Sequence, residues 1–119
     1  MSSCVVVIED EPDILALLRD LLEMEGFRVV SVKDPQVLES SVASVEPDLF
    51  LVDIMLQGTS GIEVAERLRG SGFGDTPMIA MSASQLMRRL ASESGLFQEA
   101  LDKPFDIPVL LECVERYAA

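Results

Sequence analysis

The feature that most constrains the fold of this chain is a regular alternation of short apolar runs with amphipathic stretches. Five runs have the length and the β-branched or apolar character of buried strands: residues 4–8, 28–32, 49–52, 77–81 and 99–101. Five stretches have the period of a helix: residues 12–25, 35–45, 61–69, 84–94 and 107–117. A repeated β-α pattern predicts parallel strands joined by right-handed crossovers. We therefore expect an α/β fold, a doubly wound five-stranded parallel sheet with five helices on its two faces.

The length indicates how many domains the chain contains. A chain of 119 residues has the size of one compact domain. Glycine and proline occur singly between the periodic segments, and the sequence shows no repeat or low-complexity linker. We expect a single domain over residues 1–119, with no output domain in this chain.

The charge balance excludes several classes of partner. The chain contains nine Lys and Arg residues and 21 Asp and Glu residues, so its formal net charge is -12. A field of this sign repels nucleic-acid phosphates, and it attracts divalent cations and basic protein surfaces.

No apolar run reaches the roughly 18 residues of a membrane span. We expect no direct nucleic-acid binding, no membrane association and a cytoplasmic location, in which Cys4 and Cys113 are buried free thiols.

Polar side chains follow the predicted strands at the points where each strand ends. They are Glu9, Asp10 and Glu11 after the first strand, Asp53 after the third, Ser82 and Ala83 after the fourth, and Asp102, Lys103 and Pro104 after the fifth. The carboxyl ends of parallel strands meet at one edge of the sheet. Three carboxylates gathered there repel one another unless a cation or a raised pKa relieves the repulsion. Mg²⁺ fits this site best, because it prefers oxygen ligands and the chain contains no histidine.

The same residue types suit phosphoryl transfer. A carboxylate oxygen can attack a phosphoryl group when cationic and hydrogen-bonding groups stabilise the charge of the transition state. Asp53 is the candidate nucleophile, and Lys103 and the Ser82 hydroxyl are candidate contacts to the phosphoryl oxygens. Taken singly, each is equally typical of a helix cap or an exposed turn residue. Their joint occurrence at one predicted edge favours the chemical interpretation.

These motifs resemble those of the receiver domain of two-component response regulators, over essentially the whole chain. The similarity lies in the acidic pair Glu9 and Asp10, in Asp53 after the third strand, in Ser82 followed by the small Ala83, and in the turn Lys103, Pro104 and Phe105. The resemblance implies a flavodoxin-like receiver fold with strand order 2-1-3-4-5. It also implies a protein that catalyses only its own phosphorylation and dephosphorylation and is otherwise no enzyme.

The resemblance further assigns roles to the site residues. Asp53 is the expected phosphoacceptor, and Glu9, Asp10, Asp53 and the Met55 carbonyl are the expected Mg²⁺ ligands. Lys103 is expected to contact a phosphoryl oxygen, and Ser82 to move towards the phosphate. Ala83, the small residue after Ser82, is the expected cofactor-binding residue. The implied donor is a sensor histidine kinase or a histidine phosphotransfer protein, and the resulting conformational switch controls a partner or an output domain.

Three positions depart from the family pattern. Glu9 stands where Asp is commoner, so we expect its longer side chain to reach the metal directly or through water. Gln57 replaces the usual proline after the phosphoacceptor, which predicts a softer loop. Ala100 occupies the position of an aromatic residue in many relatives, so the aromatic half of the switch is missing.

Three other functions share parts of this pattern. A haloacid-dehalogenase-type phosphatase requires a second Asp two positions after the nucleophile, where this chain has Met55. A flavodoxin-like cofactor binder needs a phosphate loop after the first strand, where Glu9, Asp10 and Glu11 would repel the phosphate. The remaining alternative is a receiver-like protein-interaction module that works without phosphorylation.

The first helix offers a candidate partner surface. Its pattern predicts that Ile14, Leu17, Leu18 and Leu21 face the core, whereas Leu15 and Leu22 lie on the flank with Leu18 at the margin. The functional interpretation is that Leu15, Leu18 and Leu22 form a docking strip for the kinase or phosphotransfer protein. The alternative is that Leu15 and Leu22 lie under the fifth helix or are scattered surface leucines without a function. A homodimer is compatible with the sequence but has no support in it.

Overall fold

The computed structural model describes residues 2–118 and contains the predicted alternation of strands and helices. In chain order the elements are β1 (Cys4–Ile8), α1 (Pro12–Met24), β2 (Arg28–Val32), a 3₁₀ turn (Pro35–Val37) leading into α2 (Leu38–Val42), β3 (Leu49–Asp53), α3 (Gly61–Gly70), β4 (Met78–Ser82), α4 (Gln85–Glu93), β5 (Glu99–Asp102) and α5 (Ile107–Ala118). A short antiparallel hairpin, Met55–Leu56 paired with Thr59–Ser60, lies between β3 and α3. The sequence did not predict this hairpin.

The five main strands form one parallel sheet in the order β2-β1-β3-β4-β5, which confirms the predicted fold class and strand order. Strands β1, β3 and β4 occupy the centre and are buried along their whole length. The sequences of these strands are continuously apolar because helices cover both faces of the sheet. Glu9, Asp53 and Ser82 therefore follow, or end, strands that are buried on both faces of the sheet.

The core has two main layers, one on each face of the sheet. Alternate residues of β1 point to opposite faces, as the period of a strand requires: Val5 and Val7 pack with α1 and α5, and Val6 and Ile8 pack with α2 and α3. A smaller third cluster of Ile54, Ala80 and Ala91 lies where α4 packs on the sheet. Helix α4 thus contributes much less to the core than the other long helices do.

Helix α1 begins at Pro12 as predicted, but its buried face differs from the predicted one. Leu18 and Leu22 are fully buried, and Leu15 packs against the same cluster together with residues of α5. Leu17, predicted to face the core, is 46% exposed. The docking strip predicted from Leu15, Leu18 and Leu22 is therefore wrong. At 100° per residue these three positions share one side of the helix, and that side is the one the sheet and α5 cover.

The second helical segment is shorter than predicted and starts as a 3₁₀ turn. The Asp34 side chain accepts a hydrogen bond from the Gln36 N–H and caps this turn. The hydroxyls of Ser40 and Ser41 both donate to the Val37 carbonyl, a bonding pattern that competes with regular helix. The helix therefore ends at Val42 and does not reach residue 45.

Both cysteines are buried free thiols, as predicted. Burial raises the pKa of Cys4, and burial together with the nearby Glu99 carboxylate raises the pKa of Cys113 to about 12. Within residues 2–118, no helix has the length and apolar character that crossing a bilayer demands.

Candidate functional site

The ends of β1 and β3 bring three carboxylates together. Glu9 directly follows β1 and Asp53 ends β3, and both are almost completely buried. The parallel register pairs Ile8 with Val52, so the residues after them lie side by side. Glu9, Asp10 and Asp53 each offer a carboxylate oxygen, and these three oxygens lie within 4.8 Å of one another. The predicted convergence at the sheet edge is present, and all of its ligand atoms are hard oxygen donors suited to a divalent cation such as Mg²⁺.

Lys103 lies against two of these carboxylates. Its Nζ atom forms an ion pair with Glu9 Oε1 and lies 3.4 Å from Asp53 Oδ2. The Lys103 main chain is fixed by its N–H, which donates to the Ser82 carbonyl at 3.1 Å. The lysine side chain is only 14% exposed, so this positive charge is held at the site and is poorly screened by water.

The crowding of carboxylates shows in the pKa of Glu9. Burial and, after it, the neighbouring Asp53 raise this pKa, Lys103 lowers it, and the net result is a pKa of about 7. The raised pKa is one of the two ways in which the sequence predicted that the repulsion is relieved. The other way is a cation, and the Lys103 ammonium acts as one here, because it is the counter-ion of Glu9 and Asp53.

The second oxygen of Asp53 is held by the chain that follows it. Asp53 Oδ1 accepts a hydrogen bond from the Met55 N–H at 3.1 Å, at the start of the short hairpin. Helix α3 then begins at Gly61, whose N–H donates to the Ile54 carbonyl at 2.8 Å. A Cβ atom at Gly61 would lie 2.3 Å from the Asp53 carbonyl oxygen, so only glycine allows this close approach. The Ser60 hydroxyl caps α3 by accepting from the Glu63 N–H.

A hydrogen bond between two loops restrains Asp10. Its Oδ2 atom accepts from the Gln57 N–H at 2.7 Å, which ties the loop after β1 to the hairpin after β3. A proline at position 57 would lack this N–H. The bond thus works against the softness that the sequence predicted for this loop.

Most of the predicted site residues line one cavity of about 410 Å³. Its walls include Glu9, Asp10, Asp53, Met55, Ala83 and Lys103, together with Ile14 and Pro104. Ser82 is buried at the end of β4, next to the exposed Ala83, and its Oγ accepts from the Ser84 N–H at 3.0 Å. The structure therefore brings the predicted acidic, cationic and hydroxyl residues to one sheet edge.

Two contacts at this edge were not predicted. Arg88 donates to the Ser82 carbonyl, and Gln57 donates to Asp10 as described above. No sequence pattern indicates the Arg88 contact, because an arginine on an amphipathic helix is usually solvated. Ala100, at the position of the missing aromatic, lines a separate cavity of about 400 Å³ with Phe105 and Val109.

Comparisons with known proteins agree with the fold and the motifs. The family model described as "Response regulator receiver domain" matches residues 5–115. The chain is 36% identical over 105 residues to the transcriptional regulatory protein CpxR of Escherichia coli strain K12, covering 86% of this chain and 43% of CpxR. It is 35% identical over 116 residues to the phosphate regulon transcriptional regulatory protein PhoB of Rhizobium meliloti, covering 93% of this chain and 50% of that protein. The chain thus spans half or less of the length of these relatives.

Solved structures give the same result. The response regulator TrrA of Thermotoga maritima, solved in complex with Mg²⁺ and BeF, is 29% identical with a TM-score of 0.85, covering 97% of this chain and 98% of TrrA. The chemotaxis protein CheY4 of Vibrio cholerae shares the fold with a TM-score of 0.87 at 20% identity, covering 98% of this chain and 99% of CheY4. With the family model matching nearly its whole length, this chain belongs to the response regulator receiver domain family of two-component signal transduction.

Proposed function

We propose that the chain is the phosphoacceptor of a two-component phosphorelay, with Asp53 as the residue that takes the phosphoryl group. The observation that carries this proposal is the cluster of Asp53, Glu9, Asp10 and Lys103 at the carboxyl edge of the sheet. The donor is the phosphohistidine of a sensor histidine kinase or of a histidine phosphotransfer protein. The phosphorylated state then controls a partner or an output domain.

Mg²⁺ fits the donor set of this site. Glu9, Asp10 and Asp53 supply three carboxylates, and the Met55 carbonyl is the proposed fourth protein ligand. When bound, the cation offsets the carboxylate charge and stabilises the negative charge of the phosphoryl group during transfer. The raised pKa of Glu9 supports this role, since it reflects a buried carboxylate whose charge is incompletely balanced.

The chemistry of the Asp53 carboxylate follows from its contacts. The Met55 N–H holds Oδ1, and Oδ2 faces Lys103, so the carboxylate is fixed in one orientation. One carboxylate oxygen attacks phosphorus, the new O–P bond forms, and the P–N bond of the donor breaks with its electron pair passing to the imidazole nitrogen. The product on Asp53 is an acyl phosphate.

Lys103 and Ser82 are the proposed contacts to the transferred group. Lys103 is already held beside Asp53, and its ammonium can exchange a carboxylate oxygen for a phosphoryl oxygen with little movement. The Ser82 Oγ accepts a hydrogen bond from Ser84, which leaves its O–H proton available as a donor. Ala83 lines the cavity with a small side chain and leaves room for the phosphoryl group.

Loss of the phosphate requires a water molecule held in line with the acyl phosphate. Three of the side chains that line the cavity, Met55, Ile14 and Pro104, offer no group that would orient such a water. We infer that the phosphorylated state is not especially short-lived.

The experiment that tests the proposal is phosphorylation by acetyl phosphate, followed by intact-mass measurement. Wild-type protein should gain one phosphate in the presence of Mg²⁺ and none after chelation of the metal. Asp53→Asn keeps the shape of the side chain and removes the nucleophile, so it should gain none. Equal incorporation in Asp53→Asn would refute the assignment. A wild-type protein that takes up no phosphate under these conditions would favour the phosphorylation-independent module.

A further inference from the structure

Helix α4 is held to the sheet by few apolar contacts. Ala91 is the residue of this helix that is fully buried; it packs against Ile54 and Ala80, and the partly buried Met87 packs against the same small cluster. Leu86 and Leu90 are 62% and 42% exposed. A helix with so small an apolar anchor depends more on its polar attachments for its position.

The main polar attachment of α4 to the sheet is Arg88. Its Nη1 atom donates to the Ser82 carbonyl at 2.9 Å, and its Nε atom lies 2.6 Å from Asp102 Oδ1. One guanidinium thus joins α4 to the ends of β4 and β5, which are paired through Ser82 and Asp102. The Arg88 side chain is 21% exposed, so its bond to the Ser82 carbonyl lies in a largely shielded place.

Ser82 connects this attachment to the candidate phosphorylation site. It follows Met81, which pairs with Asp53 in the parallel register of β3 and β4. A phosphoryl group on Asp53 brings strong acceptor oxygens close to the end of β4, and the Ser82 hydroxyl can donate to one of them. The hydroxyl and the carbonyl belong to the same residue. The carbonyl accepts from Arg88 and also from the Lys103 N–H, so a shift of Ser82 towards the phosphate changes the geometry of both bonds, including the one that holds α4.

We propose that Arg88 is a positioning residue that couples the phosphorylation state of Asp53 to the placement of α4. The inference rests on the proposed function, because it requires phosphorylation of Asp53. In the unphosphorylated protein Arg88 fixes α4 on the Ser82 carbonyl and on Asp102. Phosphorylation weakens the bond to Ser82 and loosens the helix. The small side chain of Ala100 cannot transmit a shift by filling or leaving a pocket, so this polar contact carries the coupling.

Hydrogen exchange over residues 84–94, measured with and without acetyl phosphate and Mg²⁺, tests the proposal. In wild type, phosphorylation should speed exchange in α4 by about tenfold, the equilibrium effect of one hydrogen bond from a charged group. Arg88→Met keeps the aliphatic stem and removes the guanidinium. This variant should take up phosphate normally and exchange quickly in both states, so the difference between the states disappears. In Arg88→Lys the side chain can bond to only one of the two partners, the Ser82 carbonyl or Asp102. The difference in α4 exchange between the two states should therefore be smaller than in wild type.

The matched control is Arg89→Met, at the next position of the same helix, where the side chain is 74% exposed. It should keep the wild-type difference. If Arg88→Met does not fold, Asp102→Asn provides the second test. It weakens the ion pair between Arg88 and Asp102 and should reduce the difference in α4 exchange between the two phosphorylation states.

Three results would overturn the inference. The first is a wild-type protein that takes up phosphate with no change in α4 exchange. The second is a folded Arg88→Met variant in which phosphorylation changes the exchange of α4 as much as in wild type. If Arg88→Met does not fold, the same result in Asp102→Asn counts in its place. These two results leave the proposed function intact. The third is the absence of phosphate uptake in wild type, which removes the proposed function and the inference together.

Discussion

The Nζ atom of Lys103 lies 3.4 Å from Oδ2 of Asp53, and both side chains are largely shielded from water. An ion pair in such a place is screened less than a surface pair. The lysine follows β5 and the aspartate ends β3, so their proximity depends on the parallel order of the strands between them. The fold itself therefore sets the charge beside the candidate nucleophile.

Replacement of this lysine should slow phosphorylation. Lys103→Met keeps the aliphatic stem and removes the positive charge from the phosphoryl oxygens, and loss of one such contact typically costs about a hundredfold in rate. The measurement is the initial rate of phosphate incorporation from acetyl phosphate at saturating Mg²⁺. Lys33→Met, at an exposed position, is the control and should keep the wild-type rate. A Lys103→Met rate within twofold of wild type, about the precision of such a comparison, would contradict this role.

Mg²⁺ should stabilise the unphosphorylated protein. The ion has a site among Glu9, Asp10 and Asp53 in the folded chain and no matching site in the unfolded one. At about a hundredfold above the dissociation constant the stabilisation is roughly 2.7 kcal/mol, which raises Tm by roughly 10 °C in a domain of this size. Thermal melts with and without Mg²⁺ measure it. Asp10→Asn should lose most of the shift, whereas the exposed Asp20→Asn should keep it. Equal shifts in all three proteins would exclude Asp10 as a ligand.

The close approach of Gly61 to Asp53 predicts different outcomes for two glycine substitutions in one helix. Gly61→Ala places a methyl group against the Asp53 carbonyl oxygen, and the forced backbone shift should lower the free energy of unfolding by about 1–3 kcal/mol. It should also slow phosphorylation, since the shift moves the nucleophile. Gly70→Ala meets no atom within 4 Å and should be neutral or stabilising by up to about 1 kcal/mol. Urea unfolding of both variants measures the difference. Equal stabilities would mean that the contact at Gly61 carries no constraint.

The Cys113 thiol should resist labelling in the folded protein. Burial and Glu99 raise its pKa to about 12, so the reactive thiolate is scarce at pH 8.5. Because the folded pKa lies above the unfolded one, the stability from this group is complete below about pH 9 and is lost as the pH rises towards 12. The measurement is the rate of reaction with a thiol reagent at pH 8.5 in Cys4→Ala protein, native and in denaturant. Similar rates in both states would contradict the buried, neutral thiol.

Strand positions and the site motifs could be predicted from the sequence because both have local signatures. A β-branched run marks a buried strand, and a charged side chain directly after it marks the functional edge, so the sequence alone predicts that Glu9, Asp53 and Lys103 lie together. The orientation of helix α1 could not be predicted in this way. Six of its apolar positions spread over more than half the helix, and only the packing of α1 against the sheet and α5 decides that Leu22 is buried and Leu17 is exposed.

Contacts between distant polar groups were also beyond the sequence. Gln57 bonds to Asp10 through its main-chain N–H, which no side-chain pattern reveals. Arg88 reads as a solvated helix residue until β4 and β5 place a carbonyl and a carboxylate beside it. Both contacts depend on the register of separate segments, which tertiary packing sets.

The most direct test of the account is to locate the phosphate in wild-type protein after reaction with acetyl phosphate and Mg²⁺, by mass spectrometry of its proteolytic fragments. We predict one phosphate, on Asp53, that is released by hydroxylamine as an acyl phosphate should be. Phosphate on a different carboxylate such as Asp10 or Asp102, or phosphate that hydroxylamine does not release, would contradict the assignment of Asp53 as the phosphoacceptor.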